Sequence, residues 1–184
     1  GLAELVNYGT DFKNVTVYLG DDIDLMGTRT LCHWTPIGTD RYSFDGSFDG
    51  CGHTISGLYI DDDTLSLVGL FGAMEDGRVL NLAVTGTIYS DNTKAVCGSV
   101  TGYALDSSIE NCWANVLLSG QADMGGFCGE GLGLYLGNCW FAGQVDTTGA
   151  CGALIGVSEA GDVEDCFYLN TAAPHAFGSS TSTR

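Results

Sequence analysis

The chain is short of positive charge and of proline. Lys and Arg together number six among 184 residues, against 23 Asp and Glu, for a formal net charge of −17. Six scattered cations form no basic patch, so nucleic acid and anionic membrane surfaces are excluded as partners. No apolar run approaches the roughly 18 residues that cross a bilayer as a helix, which excludes membrane insertion of that kind. There is no C-x-x-C pair, no H-E-x-x-H and no G-x-S-x-G. The chain therefore lacks the sequence marks of a cysteine zinc site, a metallopeptidase centre and a hydrolase nucleophile elbow. A hydrophobic content of 45% is too high for a disordered acidic tail.

What the chain has is glycine: 28 residues against two prolines, with no G-X-Y period. Aligning on glycines followed nine residues later by Asn or Asp reveals a repeat. Gly72 goes with Asn81, Gly102 with Asn111, Gly129 with Asn138 and Gly156 with Asp165. Other slots keep the register: Leu70, Val100, Phe127 and Leu154; Val79, Ile109, Leu136 and Val163; Leu82, Cys112, Cys139 and Cys166; Ala83, Trp113, Trp140 and Phe167. An earlier, divergent unit is read at Ile55–Ile60, with Gly57 in the Asn slot. Each unit holds short runs rich in Val, Ile, Leu, Phe and Tyr, broken by Gly, Asn, Asp and Ser, which are strands separated by turns. Three short strands and three turns per unit make one coil of an all-β parallel β-helix (β-solenoid), with about five to six coils stacked at about 4.8 Å.

Within that frame the four glycines are expected to supply left-handed corners. The Asn81, Asn111, Asn138, Asp165 column is read first as a structural ladder, with ligand binding as the other reading. Residues 1–60 are taken as an N-terminal cap and first irregular coils, 61–178 as repeat coils, and 179–184 as a polar tail or cut point. Leu2, Leu5 and Tyr8 at helical spacing suggest a short capping helix. Cys112, Cys139 and Cys166 share an apolar slot and are read as small buried hydrophobes. Cys97 and Cys151 share another slot, with Met124 between. Cys32–Cys51 is the one disulfide to consider.

Val68–Gly72 with Val79-Leu80-Asn81-Leu82 resembles the GLUG-type repeat of secreted and surface-attached bacterial proteins. The leader is similar too: Asp22-Ile23-Asp24-Leu25, Trp34-Thr35-Pro36-Ile37-Gly38, and Phe44-Asp45-Gly46 running on to Gly52-His53-Thr54-Ile55. The resemblance implies a right-handed, single-stranded parallel β-helix in a large extracellular or cell-surface bacterial protein. Such regions occur in adhesin-like proteins and beside IgA-protease-type metallopeptidase domains. It implies no activity, because the family is defined by its scaffold.

No slot in the repeats gathers two carboxylates on neighbouring coils, and His33, His53 and His175 are isolated, so no catalytic residue is assigned. A carbohydrate-active β-helix enzyme, or an accessory module of a secreted glycosidase or protease, is the rival to a non-catalytic scaffold. No cofactor is required. Calcium is the one metal considered, with Asp61, Asp62 and Asp63, or Asp45 with Asp49, as weak oxygen ligands. If the Cys slot points inward, strand alternation turns Trp113, Trp140 and Phe167 outward on successive coils, with Tyr59 continuing the column two coils earlier. That strip is either packing, under a loop or ring on ring, or a surface for a host or environmental glycan or protein, or for another domain of the same chain.

Overall fold

The structure is a computed structural model that describes residues 1–180. One short helix, α1 (Leu2–Asn7), precedes an all-β chain whose strand ladders are parallel. The first ladder stacks Thr16–Tyr18, Ser47–Asp49, Arg78–Leu80, Ser108–Glu110, Tyr135–Gly137 and Asp162–Glu164. The second runs through the long strands Thr54–Asp61, Ala83–Ser90 and Trp113–Gly120 to Trp140–Phe141 and Phe167–Tyr168. A third joins Leu67–Val68, Val96–Gly98, Asp123–Gly125 and Cys151–Gly152; a fourth joins Phe71–Glu75, Thr101–Leu105, Cys128–Leu132, Ile155–Glu159 and Phe177–Ser180. Six strands at about 4.8 Å give a stack on the order of 24 Å long. This is the expected β-solenoid, with one difference: a coil has four strands, not three. The glycine-rich corner between the third and fourth ladders splits one expected strand into two. Ser179 and Ser180 belong to the last strand of the fourth ladder, opposite Val157 and Ser158, while residues 181–184 lie outside the described residues.

The interior is a set of columns, one residue per coil. Val17, Phe48, Val79, Ile109, Leu136 and Val163 form one column through the first ladder. Val68, Cys97, Met124 and Cys151 form another in the third. Cys112 and Cys139 are 3% and 1% exposed, as the apolar slot requires, while Cys166 near the last coil is half-buried. All eight cysteines are free thiols, Cys32 and Cys51 included. The Cys112 thiol beside it and burial push Cys139 up to about 12, and burial, with a smaller push from the Asp123 carboxylate, does the same to Cys97.

The corners correct the expectation for glycine. None of Gly72, Gly102, Gly129 and Gly156 has a positive φ. They sit within the fourth-ladder strands, buried against the preceding coil: a Cβ would lie 2.3 Å from the Gly38 carbonyl oxygen at Gly72 and 2.4 Å from the Val68 nitrogen at Gly102. Close backbone approach, not turn geometry, requires them. The left-handed corners are Asn81, Asn111, Asn138 and Asp165, with φ of 50–53°. A second left-handed column, four residues after each glycine, comprises Asp76, Asp106, Gly133 and Ala160.

The first coil also departs from the expected register. The corner before Asn81 is at Gly50-Cys51, where Gly50 N–H donates to the Leu80 carbonyl and Cys51 has φ +53°. Gly57 is therefore not in the Asn slot; it lies at a slip in pairing between Ile55 and Leu58. In α1 the buried residue is Val6, with Leu2 and Ala3 against the core, whereas Leu5 and Tyr8 face solvent. Asn7 pins the helix: its amide donates to the Pro36 carbonyl (3.0 Å) and accepts from Gly38 N–H (2.7 Å).

Candidate functional site

The corner between the first and second ladders repeats a three-residue logic. Asn111 turns the chain, Cys112 points inward, and Trp113 points outward at the start of the next strand. The following coil repeats this with Asn138, Cys139 and Trp140, so two parallel files rise along the molecule. In one file the Asn138 amide donates to Asn111 Oδ1 (2.7 Å), Asn111 to Asn81 Oδ1 (3.3 Å), and Asn81 to Asp49 Oδ1 (3.0 Å). That last bond, with Cys51 N–H, holds the Asp49 carboxyl below the usual carboxylate range. The amides of Asn81, Asn111 and Asn138 are thus joined coil to coil, while among the described residues no hydrogen bond joins Asp165 to Asn138. Each amide spends one N–H on the ladder and keeps a second for another partner.

The other file is aromatic. Trp113, Trp140 and Phe167 are paired in direct register on successive coils, with Ala83 and Thr54 below. Trp113 is half-buried, Trp140 is 51% exposed and Phe167 67% exposed. Among the described residues, no aromatic pair joins these three rings; the ring contacts lie elsewhere, such as Phe127 with Phe141. Among the described residues the rings of Trp140 and Phe167 are thus open to solvent, and Trp113 is partly covered. With Asn111 and Asn138 they line a groove of about 640 Å³, with Cys112 and Cys139 also on its wall. The neighbouring carboxylates are Glu110, held by both nitrogens of an Arg78 fork at 3.0 Å, and Glu164, which accepts from the Tyr135 hydroxyl. Among the described residues, no lysine or arginine lines the groove.

Tyr59 is not part of this file. It pairs with Thr87, and Thr87 with Leu117, because the corner before this strand is at Gly50-Cys51 and not at Gly57, so Thr54 takes the slot below Ala83. Its ring meets His33 edge-on at 5.1 Å and its hydroxyl donates to Asp61. The aspartates considered for calcium are separated by their turn duties. Asp62 accepts from Thr64 N–H and hydroxyl, Asp63 from Asp91 N–H, and Asp45 from the Ser43 hydroxyl. Among the described residues, no group of three or more His, Cys, Asp or Glu gathers at metal-binding distances.

No family model matches the chain. Over 110 residues, 53% of its length, it is 34% identical to a protein of Evansella cellulosilytica named "Putative Gly-rich membrane protein". Over 96 residues, 49% of its length, it is 34% identical to Halomucin of Haloquadratum walsbyi. These matches span 13% and 1% of the relatives' own lengths. Among solved structures, that of "a putative immunoglobulin A1 protease from Bacteroides ovatus" aligns with a TM-score of 0.51 at 17% identity, over 91% of this chain and 72% of that one. At that identity the likeness concerns the fold. No helix among the described residues is long and apolar enough to cross a membrane.

Proposed function

We propose that this chain is a non-catalytic β-helical scaffold segment of a large extracellular or cell-surface protein, and that its outer aromatic strip binds glycan. The observation that carries the reading is the strip itself: Trp113, Trp140 and Phe167 in register, solvent-facing, unstacked on one another, beside amides with unused N–H groups. Aromatic faces next to amide donors suit sugar rings, whose C–H faces pack on π-systems while their hydroxyls take hydrogen bonds. A groove without lysine or arginine among the described residues, on a chain of net charge −17, favours neutral glycans over sulfated or uronic ones. The GLUG-type resemblance supports a surface scaffold, as do relatives far longer than the matched stretch.

The test is an array of extended glycans probed with the parent and with the double variant Trp113→Ala/Trp140→Ala. Binding of neutral chains by the parent, lost at least tenfold in the variant with an unchanged far-UV circular dichroism spectrum, is the expected outcome. A parent that binds no glycan, or a variant that binds as well as the parent, overturns the reading.

A further inference from the structure

A second concavity lies on the fourth ladder, near the first coils, and its origin is a mismatch in chain length. Ile37 bridges to Phe71 and Phe44 to Met74, so residues 38–43 must fit opposite only Gly72 and Ala73. The surplus loops outward. Thr39 and Tyr42 close it with two backbone hydrogen bonds, which puts Asp40 and Arg41 at its tip. The tip is tied to the neighbouring turn, because the Ser66 hydroxyl, 2.8 and 3.0 Å from the two Asp40 carboxylate oxygens, donates its one proton to that carboxylate. The loop therefore stands as a wall beside the ladder and encloses a cleft of about 320 Å³.

The cleft has a mixed lining. Leu67 and Ala73 supply apolar surface, and the half-buried Tyr103, paired in register with Ala73, supplies a ring. Glu75 and Arg41 stand at its rim. Among the described residues, neither the Glu75 carboxylate, the Arg41 guanidinium nor the Tyr103 hydroxyl has a hydrogen-bond or ion-pair partner; Arg41 only lies over the Tyr42 ring at 5.1 Å. Burial and the carboxylates of Glu130 and Glu75 raise Tyr103 above the usual phenol range, so its hydroxyl keeps its proton and can donate.

We propose that this cleft binds a single neutral sugar ring, with Tyr103, Leu67 and Ala73 against its apolar face and Arg41 and Glu75 hydrogen-bonded to its hydroxyls. Arg41 and Glu75 are charged groups of the lining without a partner among the described residues, and Asp40, held by Ser66, adds a second carboxylate that disfavours an anionic ligand. A guanidinium donates to hydroxyl oxygens and a carboxylate accepts from hydroxyl protons, so a vicinal diol satisfies both. The volume sits at the small end of ligand pockets, roughly 300–1,000 Å³, which fits one ring rather than an extended chain. A free amino acid, a zwitterion that Arg41 and Glu75 would also hold, is the competing small ligand, but its backbone offers no ring face to Tyr103, Leu67 and Ala73.

The proposal uses residues distinct from the aromatic strip, so either can fail alone. The experiment is an NMR titration of the full chain with methyl glycosides of glucose, galactose, mannose and N-acetylglucosamine, with alanine as the amino-acid control. At least one glycoside is expected to saturate at about 1–10 mM, shifting signals of residues 38–43, Leu67 and Tyr103. Arg41→Ala and Glu75→Gln should each weaken it at least tenfold with unchanged circular dichroism, and Trp113→Ala/Trp140→Ala should leave it intact. The proposal is overturned if no glycoside moves those signals, if alanine moves them and glycosides do not, or if both single variants bind like the parent.

Discussion

Asn111 meets two demands at once. Its backbone is left-handed, with φ +53°, a region that L-residues with a Cβ enter at a cost and that Asn tolerates better than most. Its amide also links two coils, donating to Asn81 and accepting from Asn138. Glycine would meet the first demand only, and alanine neither. The cost of Asn111→Gly is therefore about 1 kcal/mol, one or two exposed hydrogen bonds. Asn111→Ala adds the left-handed penalty of roughly 1–2 kcal/mol. Urea unfolding of the three proteins should rank parent, glycine variant, alanine variant in falling stability; equal losses for both variants would show that the corner conformation is not what selects Asn. This column was legible from the chain because its spacing is local, nine residues after each glycine. Its lower end at Asp49 was not, since the corner there is Gly50-Cys51 and carries no Asn.

Strands and loops show where such legibility stops. The repeat marks Gly72, Gly102, Gly129 and Gly156 as special, but spacing cannot say why, because the atoms that would collide with a side chain belong to other coils. At Gly102 that atom is the Val68 nitrogen, 2.4 Å from an added Cβ; at Gly20 nothing lies within 4 Å and φ is not left-handed. Gly102→Ala should cost about 3 kcal/mol, and Gly20→Ala should stay within about 0.5 kcal/mol. Thermal melts of both decide it, and a neutral Gly102→Ala would refute close coil approach as the reason for the glycine. The second left-handed column escaped notice because Asp76, Asp106, Gly133 and Ala160 share a conformation and no side-chain type. Tyr59 falls outside the aromatic file because the first corner is at Gly50-Cys51, which carries no Asn to mark it, so the strand begins earlier than Gly57 suggests and Thr54 stands below Ala83. The cleft on the fourth ladder was invisible for a related reason: residues 38–43 form a wall only by comparison with the shorter stretch opposite them.

For the whole molecule, the dominant surface term is unbalanced charge. A net −17 is met among the described residues by few side-chain ion pairs: Lys13 with Asp76 and Arg78 with Glu110. Exposed pairs of this kind contribute little, so at pH 7 the stack works against its own repulsion. Salt should then stabilise it, because the screening length falls from about 30 Å at 0.01 M to about 3 Å at 1 M. A Tm rise of roughly 5 °C over that range is expected, about 2 kcal/mol at this chain length. Near the sequence pI of about 4.1 the net charge vanishes, and the salt effect should vanish with it. Acid acts with a different sign. Asp22, Asp49 and Asp62 are held below their ordinary 3.8 by hydrogen bonds from Thr54, Asn81 and Thr64. A carboxylate lowered in the folded state stabilises fully above its unfolded value and loses that contribution as pH falls through the folded one. Stability should therefore drop below about pH 4 in high salt as well as low. Melts over pH 3–7 at two NaCl concentrations separate the two effects, and a Tm that falls with salt at pH 7 would mean that ion pairing, not repulsion, governs this surface.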